Sequence, residues 1–418
     1  MKKKKVVSLF SGCGGMDLGI EGNFEILKES INTNINSDWV SGETRPGWLR
    51  LKPTTFEIIF ANDIWRAAFF AWSKYFQKKG SPEDLFHVTS IVDLVKLHKK
   101  TRNVFPDGVD VVIGGFPCND FSVSGKRLGF NSHKSHSGNI LTNDEPTEEN
   151  RGQLYIWMRE VINVIQPKLF IAENVKGLVS LGESKKIIEN DFRKVANDGY
   201  LVVDAKVLHA SEYGVPQRRE RVFFIGLKKS CVRKSVLKSL SENGLNVDYD
   251  PYPKPTHVNG VTKNLMFNNE FLAPPVILRQ AFKGLHEPAE SHDLSQRLYS
   301  KAIWFGRHCQ GQTEINLDGV GPTIRAEHHG NIEFRRLSKA HGGKIHEELN
   351  RGLSERRLTV RECARIQTFP DDYEFVFKNP DKHVSASEAY KLIGNAVPPF
   401  LGYHVAKRIE NIWDSIFK

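Results

Sequence analysis

The sequence predicts an α/β protein, a mainly parallel sheet covered by helices, followed by a smaller and irregular second domain. Two observations carry this. Short apolar runs alternate with helix-length segments through the first 226 residues, and from about residue 231 to 355 that alternation gives way to Pro, Gly, His and Asn clusters.

Taken in order, strands are expected at residues 6–10, 56–61, 109–113, 169–172, 201–207 and 222–226, with periodic helical stretches at 154–165 and 185–196. The segment from about residue 385 regains helical periodicity after GNAVPP. Two stretches look inserted. Residues 32–55 contain Trp39, Pro46, Trp48 and Pro53 and read as an ordered loop, whereas residues 131–150 are polar and aperiodic, as in a lid. In a parallel α/β sheet, ligands sit at the carboxyl ends of the strands. The chain's unusual residue clusters fall there.

The first is Phe10-Ser11-Gly12-Cys13-Gly14-Gly15, a turn between a strand and a helix, where glycines let the backbone approach a ligand. Its spacing does not match the GxGxxG of dinucleotide-binding proteins. Asp63 ends the second strand, where an acidic residue grips ribose hydroxyls. Cys118, in GGFPCNDFS (residues 114–122), follows the third strand on a turn of two glycines and a proline. Free cysteines are more often small buried hydrophobes than nucleophiles. What raises Cys118 above that is order: the glycine turn lies upstream, and ENVKGL (173–178), QRRERVF (217–223) and GNAVPP (394–399) follow.

These motifs, with VVSLFSGCGGMDLGIEG (6–22) and RRLTVRECARIQTFPD (356–371), resemble the ordered motifs of the DNA (cytosine-5) methyltransferases of bacterial or phage restriction-modification type. The resemblance spans nearly the whole chain. It implies a Rossmann-like domain that binds S-adenosylmethionine, beside a smaller target-recognition domain. Its domain boundaries would be 1–228 for catalysis and cofactor binding, 229–380 for target recognition, and 381–418 returning to the catalytic domain.

By resemblance, Cys118 adds to C6 of a flipped-out cytosine, Glu173 engages N3 and the exocyclic amine, Arg221 reaches the O2 edge, and Arg219 orients Glu173 and Cys118. Cytosine C5 is too weak a nucleophile to take a methyl group unaided, so thiolate addition at C6 is what activates it. Asn174 braces the turn. The cofactor would lie against Phe10, Ser11, Gly12, Cys13, Gly14 and Gly15, with Asp63 on the ribose, Ile64 or Trp65 on the adenine, and Ser90, Ile91, Leu154, Asn395 and Val397 as further walls. Relatives commonly carry an acid at the position of Ser90, an aromatic residue at Ile64, and glutamine at Asn119.

The loop bearing Ser122, Ser124 and Lys126 would close over DNA. Sequence reading is expected between about 228 and 355, where Thr323-Ile324 resembles the threonine-aliphatic pair of these domains. Arg325 is the first candidate for a base contact, and Arg335 and Arg336 for phosphates. His328 and His329 have no second ligand pair at zinc spacing, so no metal is expected.

Composition agrees with this reading. A formal charge of +10, from 59 Lys and Arg against 49 Asp and Glu, suits a polyanionic partner such as double-stranded DNA. Five cysteines form no CxxC pair, which fits a reducing compartment. MKKKK precedes too short an apolar run for an export signal, and no apolar stretch approaches the roughly 20 residues that cross a bilayer. A soluble, cytoplasmic monomer is expected, with a cognate restriction endonuclease as a possible genetic partner. The alternatives are a tRNA cytosine-5 methyltransferase, disfavoured by the long recognition segment, and a silent DNA-binding relative, disfavoured by the intact Cys118, Glu173, Arg219 and Arg221. A dehydrogenase is disfavoured by the glycine spacing.

Overall fold

The computed structural model describes residues 3–117, 154–179, 183–242, 248–259, 271–303, 311–326, 332–379 and 381–418. Seven strands form its central sheet: β1 (Lys4–Leu9), β2 (Phe56–Asn62), β3 (Phe86–His87), β4 (Val111–Gly115), β5 (Leu169–Val175), β6 (Tyr200–His209) and β7 (Glu220–Lys228). They lie in the order β3-β2-β1-β4-β5-β7-β6. Every pairing is parallel except the two made by β7, which runs antiparallel between β5 and β6. The expected α/β class is therefore observed. The strand order reverses between β1 and β4, and such a switch point opens a crevice at the carboxyl ends of the strands.

Successive residues of a strand face opposite sides of the sheet, and β1 shows it: Val6 enters one apolar core, Val7 and Leu9 the other. The first core takes α1 (Gly15–Glu21), α2 (Arg66–Lys78) and the long C-terminal helix, and the second takes α3 (Ile91–Thr101), α4 (Leu154–Ile165) and α5 (Ser184–Arg193). The first core does not stop at the sheet. It continues through Ile324 and Leu358 into α6 (Val360–Ile366), joining the irregular segment to the sheet.

Residues 32–55 differ from the loop expected of them. Val40–Arg45 and Trp48–Leu51 pair with Glu25–Leu27 in a three-stranded antiparallel sheet, with Trp48–Leu51 in the middle. The outer strand is exposed along Ser41–Thr44, so no apolar alternation announces it in the sequence. Trp48 is buried beneath the guanidinium groups of Arg45 and Arg365, and Arg45 pairs with Asp371 at 2.7 Å. The small sheet thereby braces the irregular segment.

The chain end forms α7 (Ala386–Asn395), opened by a Ser385–Glu388 capping box, and α8 (Pro399–Ile416), opened by proline at its first position. α8 packs on α1 at a backbone-to-backbone contact, since a Cβ on Gly19 would stand 2.3 Å from the Pro399 carbonyl oxygen. Gly19→Ala is accordingly expected to cost about 1–3 kcal/mol through overpacking, read as a lowered urea midpoint. Gly42→Ala, where an added Cβ meets nothing within 4 Å, should leave the midpoint almost unchanged.

Candidate active site

The β1–α1 turn folds back sharply. Phe10 takes a left-handed φ of 53°, and Gly12 and Gly14 follow at 53° and 78°. Of the six turn residues, Phe10, Ser11 and Gly12 reach the surface, while Cys13, Gly14 and Gly15 are buried behind them. Cys13 is no ligand-facing thiol: its Sγ lies 3.4 Å from the Leu392 carbonyl as a donor, and burial pushes its pKa far up.

Asp63 stands across from the turn at the end of β2. Its carboxylate accepts the Gly12 and Trp65 amides, each at 2.9 Å. Burial raises its pKa, and the amides of Trp65, Gly12 and Ile64 oppose the rise. A carboxylate has about four lone-pair sites, so capacity remains for a sugar hydroxyl. Beside it Ile64 and Val88 are large apolar side chains left 49% and 41% exposed. They offer a flat base an apolar face. Val88 is one valine among many in the sequence, and only its exposure singles it out.

Three expected wall residues sit deeper. Ser90 caps α3, its Oγ accepting the Val92 amide; Ile91 and Leu154 lie in the second core. Trp65 is half-buried against the first core and precedes α2, Val397 is buried, and Asn395 is exposed.

The second group of residues lines the ends of β4, β5 and β7. Glu173 is paired in register with Gly115 of β4, three positions before Cys118, which itself lies outside the described residues. Glycine at 115 leaves room for the Glu173 carboxyl, since a Cβ there would be 2.8 Å from Glu173 Oε2 and would displace it. Asn174 Nδ2 donates to the Phe116 carbonyl at 3.1 Å, fixing the start of the turn that carries Cys118. Arg221 pairs with Val175, two residues from Glu173 and so on the same face, and brings Nε to 2.8 Å from Glu173 Oε1. That approach is an ion contact off the line of a hydrogen bond. Oε1 is left as a buried acceptor without a hydrogen-bond donor among the described residues. Burial raises the pKa of Glu173, and Arg221 and then Arg219 pull it back.

Arg219 ties the site to distant parts of the chain. Its described hydrogen bonds run to carbonyl oxygens of Ile324 (2.9 Å), Gly394 (2.7 Å) and Ala396 (2.8 Å), and it reaches Glu173 through charge.

A profile of the C-5 cytosine-specific DNA methylases matches residues 4–411. The chain belongs to that family. It is 32% identical to the type II methyltransferase M.BspRI of Lysinibacillus sphaericus over 97% of this chain and 81% of that protein. It is 28% identical to the type II methyltransferase M.NgoPII of Neisseria gonorrhoeae, covering 97% and 95%. Among solved structures, the Entamoeba histolytica methyltransferase EhMeth superposes with a TM-score of 0.54 at 15% identity, covering 99% of each chain, a likeness of fold. Membership makes this chain an S-adenosylmethionine-dependent enzyme that methylates cytosine C5 in DNA. Among the described residues no helix is long and apolar enough to cross a membrane.

In this methylase the residues expected to touch DNA divide sharply. Ser122, Ser124 and Lys126 lie outside the described residues, as do His328 and His329. Thr323 is half-buried and its hydroxyl donates to the Arg218 carbonyl; Arg325 approaches Glu333 at 3.2 Å. Ile324 is fully buried, its amide on Gln217 and its carbonyl on Arg219, so its side chain has no surface to offer a base. Arg335 and Arg336 correct the expectation most clearly. Arg336 is 1% exposed and bonds Glu287, Glu348 and the Ser354 carbonyl, and Arg335 pairs with Glu348. Both charges are already neutralised inside the fold, so neither guanidinium faces a phosphate.

Arg336→Lys tests this, since it keeps a charge but loses the planar fork. It is expected to lose about 2 kcal/mol of stability in urea with an unchanged slope of DNA affinity against salt. A phosphate contact would show the opposite pattern.

Proposed function

We propose that this chain methylates C5 of a cytosine turned out of a short double-stranded DNA site, with Cys118 as nucleophile and Glu173 as the acid at N3. The target carbon is inaccessible within a stacked duplex, so the base must leave it. The observation that carries the reading is Glu173, a buried carboxyl with a raised pKa and an oxygen awaiting a donor. Cytosine presents an amine donor beside a ring nitrogen that needs a proton, and a protonated Glu173 satisfies both.

S-adenosylmethionine, held by Asp63, the Phe10–Gly12 backbone, Ile64 and Val88 with Asn395 and Val397 near by, supplies an electrophilic sulfonium methyl. The residues of the chain do the rest. The Cys118 thiolate forms a bond to C6, and the charge this places on the ring is relieved at N3 by the Glu173 proton. Arg221 and Arg219 keep positive charge beside Glu173, which stabilises the carboxylate left when its proton passes to N3; the proton returns to Glu173 when the ring is restored. After C5 has been methylated its proton passes to a water molecule, the electron pair of the C5–H bond re-forms the C5–C6 double bond, the C6–S bond breaks, and the thiolate is regenerated.

In this reading residues 1–228 carry the chemistry, 229–380 hold the target reader with Arg325 as its base-contacting candidate, and 381–418 complete the cofactor pocket. The loop with Ser122, Ser124 and Lys126 closes on the duplex. The enzyme works as a cytoplasmic monomer, with any restriction endonuclease a genetic partner.

Bisulfite sequencing of DNA from cells expressing the protein is expected to reveal methylcytosine at one short motif. Cys118→Ser should abolish it, and 5-fluorocytosine in the site should trap the native enzyme in a denaturation-resistant complex. Trapping that survives in Cys118→Ser would sink the nucleophile assignment. Glu173→Gln is expected to lower kcat by about 10²–10⁴ while cofactor affinity in calorimetry holds.

A further inference from the structure

Beneath the cofactor turn lies a buried carboxyl that the mechanism above does not use. Asp17, on α1, is 1% exposed. Its Oδ1 accepts the Ser8 hydroxyl at 2.6 Å and its Oδ2 accepts the Trp72 indole N–H at 2.7 Å. The chain of bonds continues outward: Ser11 Oγ donates to Ser8 Oγ at 2.8 Å and accepts the Asn62 amide at 3.2 Å, and the Ser11 amide donates to the Asn62 carbonyl at 2.8 Å. Asn62 immediately precedes Asp63. Trp72 closes the back of the turn, where a Cβ on Gly14 would stand 2.6 Å from its ring. One carboxyl thus joins α1, α2, the end of β1 and the end of β2, the four elements that shape the turn.

Leaving an ionisable group in such a place is unfavourable unless something gains from it. Its ionisable neighbours are carboxyls, of which Glu21 is paired with Lys79 at 3.3 Å. Burial is the largest influence on Asp17 and pushes its pKa up to about 7; the Ser8 and Trp72 bonds oppose this, while Glu21 on its own helix and Asp63 from β2 add to it. Cys13 on the turn and Tyr373 from the irregular segment also face it, and both are held neutral by burial. The field behind the turn therefore favours a cation in front of it. The methyl donor carries a sulfonium, and the product carries a neutral thioether.

We propose that Asp17 is a positioning residue of the cofactor turn whose carboxylate, bonded to Ser8 and Trp72, makes the turn prefer the sulfonium donor to the thioether product. This rests on the turn being the methyl-donor site. The anion accepts both hydrogen bonds at once, whereas the neutral acid has to turn one oxygen into a donor, so the ordered turn belongs to the ionised form.

Calorimetry of S-adenosylmethionine and S-adenosylhomocysteine with the whole protein tests it. In the native enzyme, affinity for the donor is expected to rise with pH around a midpoint near 7, and affinity for the product to change little. Asp17→Asn should lower donor affinity about tenfold, product affinity by less than about threefold, and flatten the pH dependence. Stability gives a second readout with the opposite sign. A folded pKa raised from 3.8 to about 7 means that the folded chain holds a proton the unfolded chain has released, so this group's contribution to stability falls as pH rises through that window. Asparagine has no proton to lose, and Asp17→Asn should gain in Tm relative to the native enzyme from about pH 5 to about pH 8.

Equal loss of both ligands in Asp17→Asn, or a native donor affinity independent of pH, overturns the proposal. If Asp17→Asn does not fold, the native pH series decides alone. A native enzyme that binds neither ligand overturns the reading of the turn itself, a result distinct from one that binds both without regard to Asp17.

Discussion

A single guanidinium holds together stretches of chain that the sequence keeps far apart. Arg219 is 1% exposed, enters from the irregular segment that leads into β7, and donates to carbonyls of Ile324, Gly394 and Ala396. A buried cation must be matched by acceptors, and removing its partners costs several kcal/mol. Here the acceptors are backbone oxygens of the recognition segment and of the C-terminal motif. Gln217 repeats the arrangement two residues earlier, accepting the Ile324 amide and donating to Gln367. The QRRER segment is therefore a junction between distant parts of the chain. Its charge also reaches Glu173, so the contact that fixes the fold tunes the acid.

Arginine plays a second structural part in the irregular segment. Arg356 grips Glu362 with two bonds of 2.9 Å, and Arg336 and Arg356 share Glu287. Burial works against ionisation of Glu287, yet these two arginines outweigh it and hold the carboxyl down at about 2. Arg361 and Arg365 bind carbonyls and the carboxylates of Asp293 and Asp371. A region poor in helices and strands has few backbone ladders to satisfy its polar groups. Guanidinium forks supply donors to carbonyls that would otherwise be buried unpaired. A basic composition thus overstates the charge available to a nucleic acid, because part of it is internal.

Two carboxyls of the candidate site follow the opposite rule. Glu173 and Asp63 sit where burial raises their pKa values, and the partners that offset this do so incompletely. Such groups weaken the fold locally and persist where a ligand supplies the missing partner. The contrast with Glu287 and Glu362, both held down by arginines, separates carboxyls that build the molecule from those that serve it.

The sequence by itself determined the α/β class and most of the sheet, because buried parallel strands read as continuous apolar runs ending on glycine or an acid. It also brought Asp63 and Glu173 to notice, since each follows such a run, and Arg221 through the QRRER motif, and it alone speaks for Cys118. Tertiary structure decided the rest. The Val40–Arg45 strand is exposed and carries no alternation. Val88 matters only through what it leaves uncovered, and Asp17 only through the indole and hydroxyl folded against it. Arg335 and Arg336 look like surface cations in a line of letters, yet Glu287 and Glu348 lie 49 and 12 residues from Arg336. Whether a charge is paired inside or free outside depends on contacts across such distances, and periodicity, a local quantity, cannot report them.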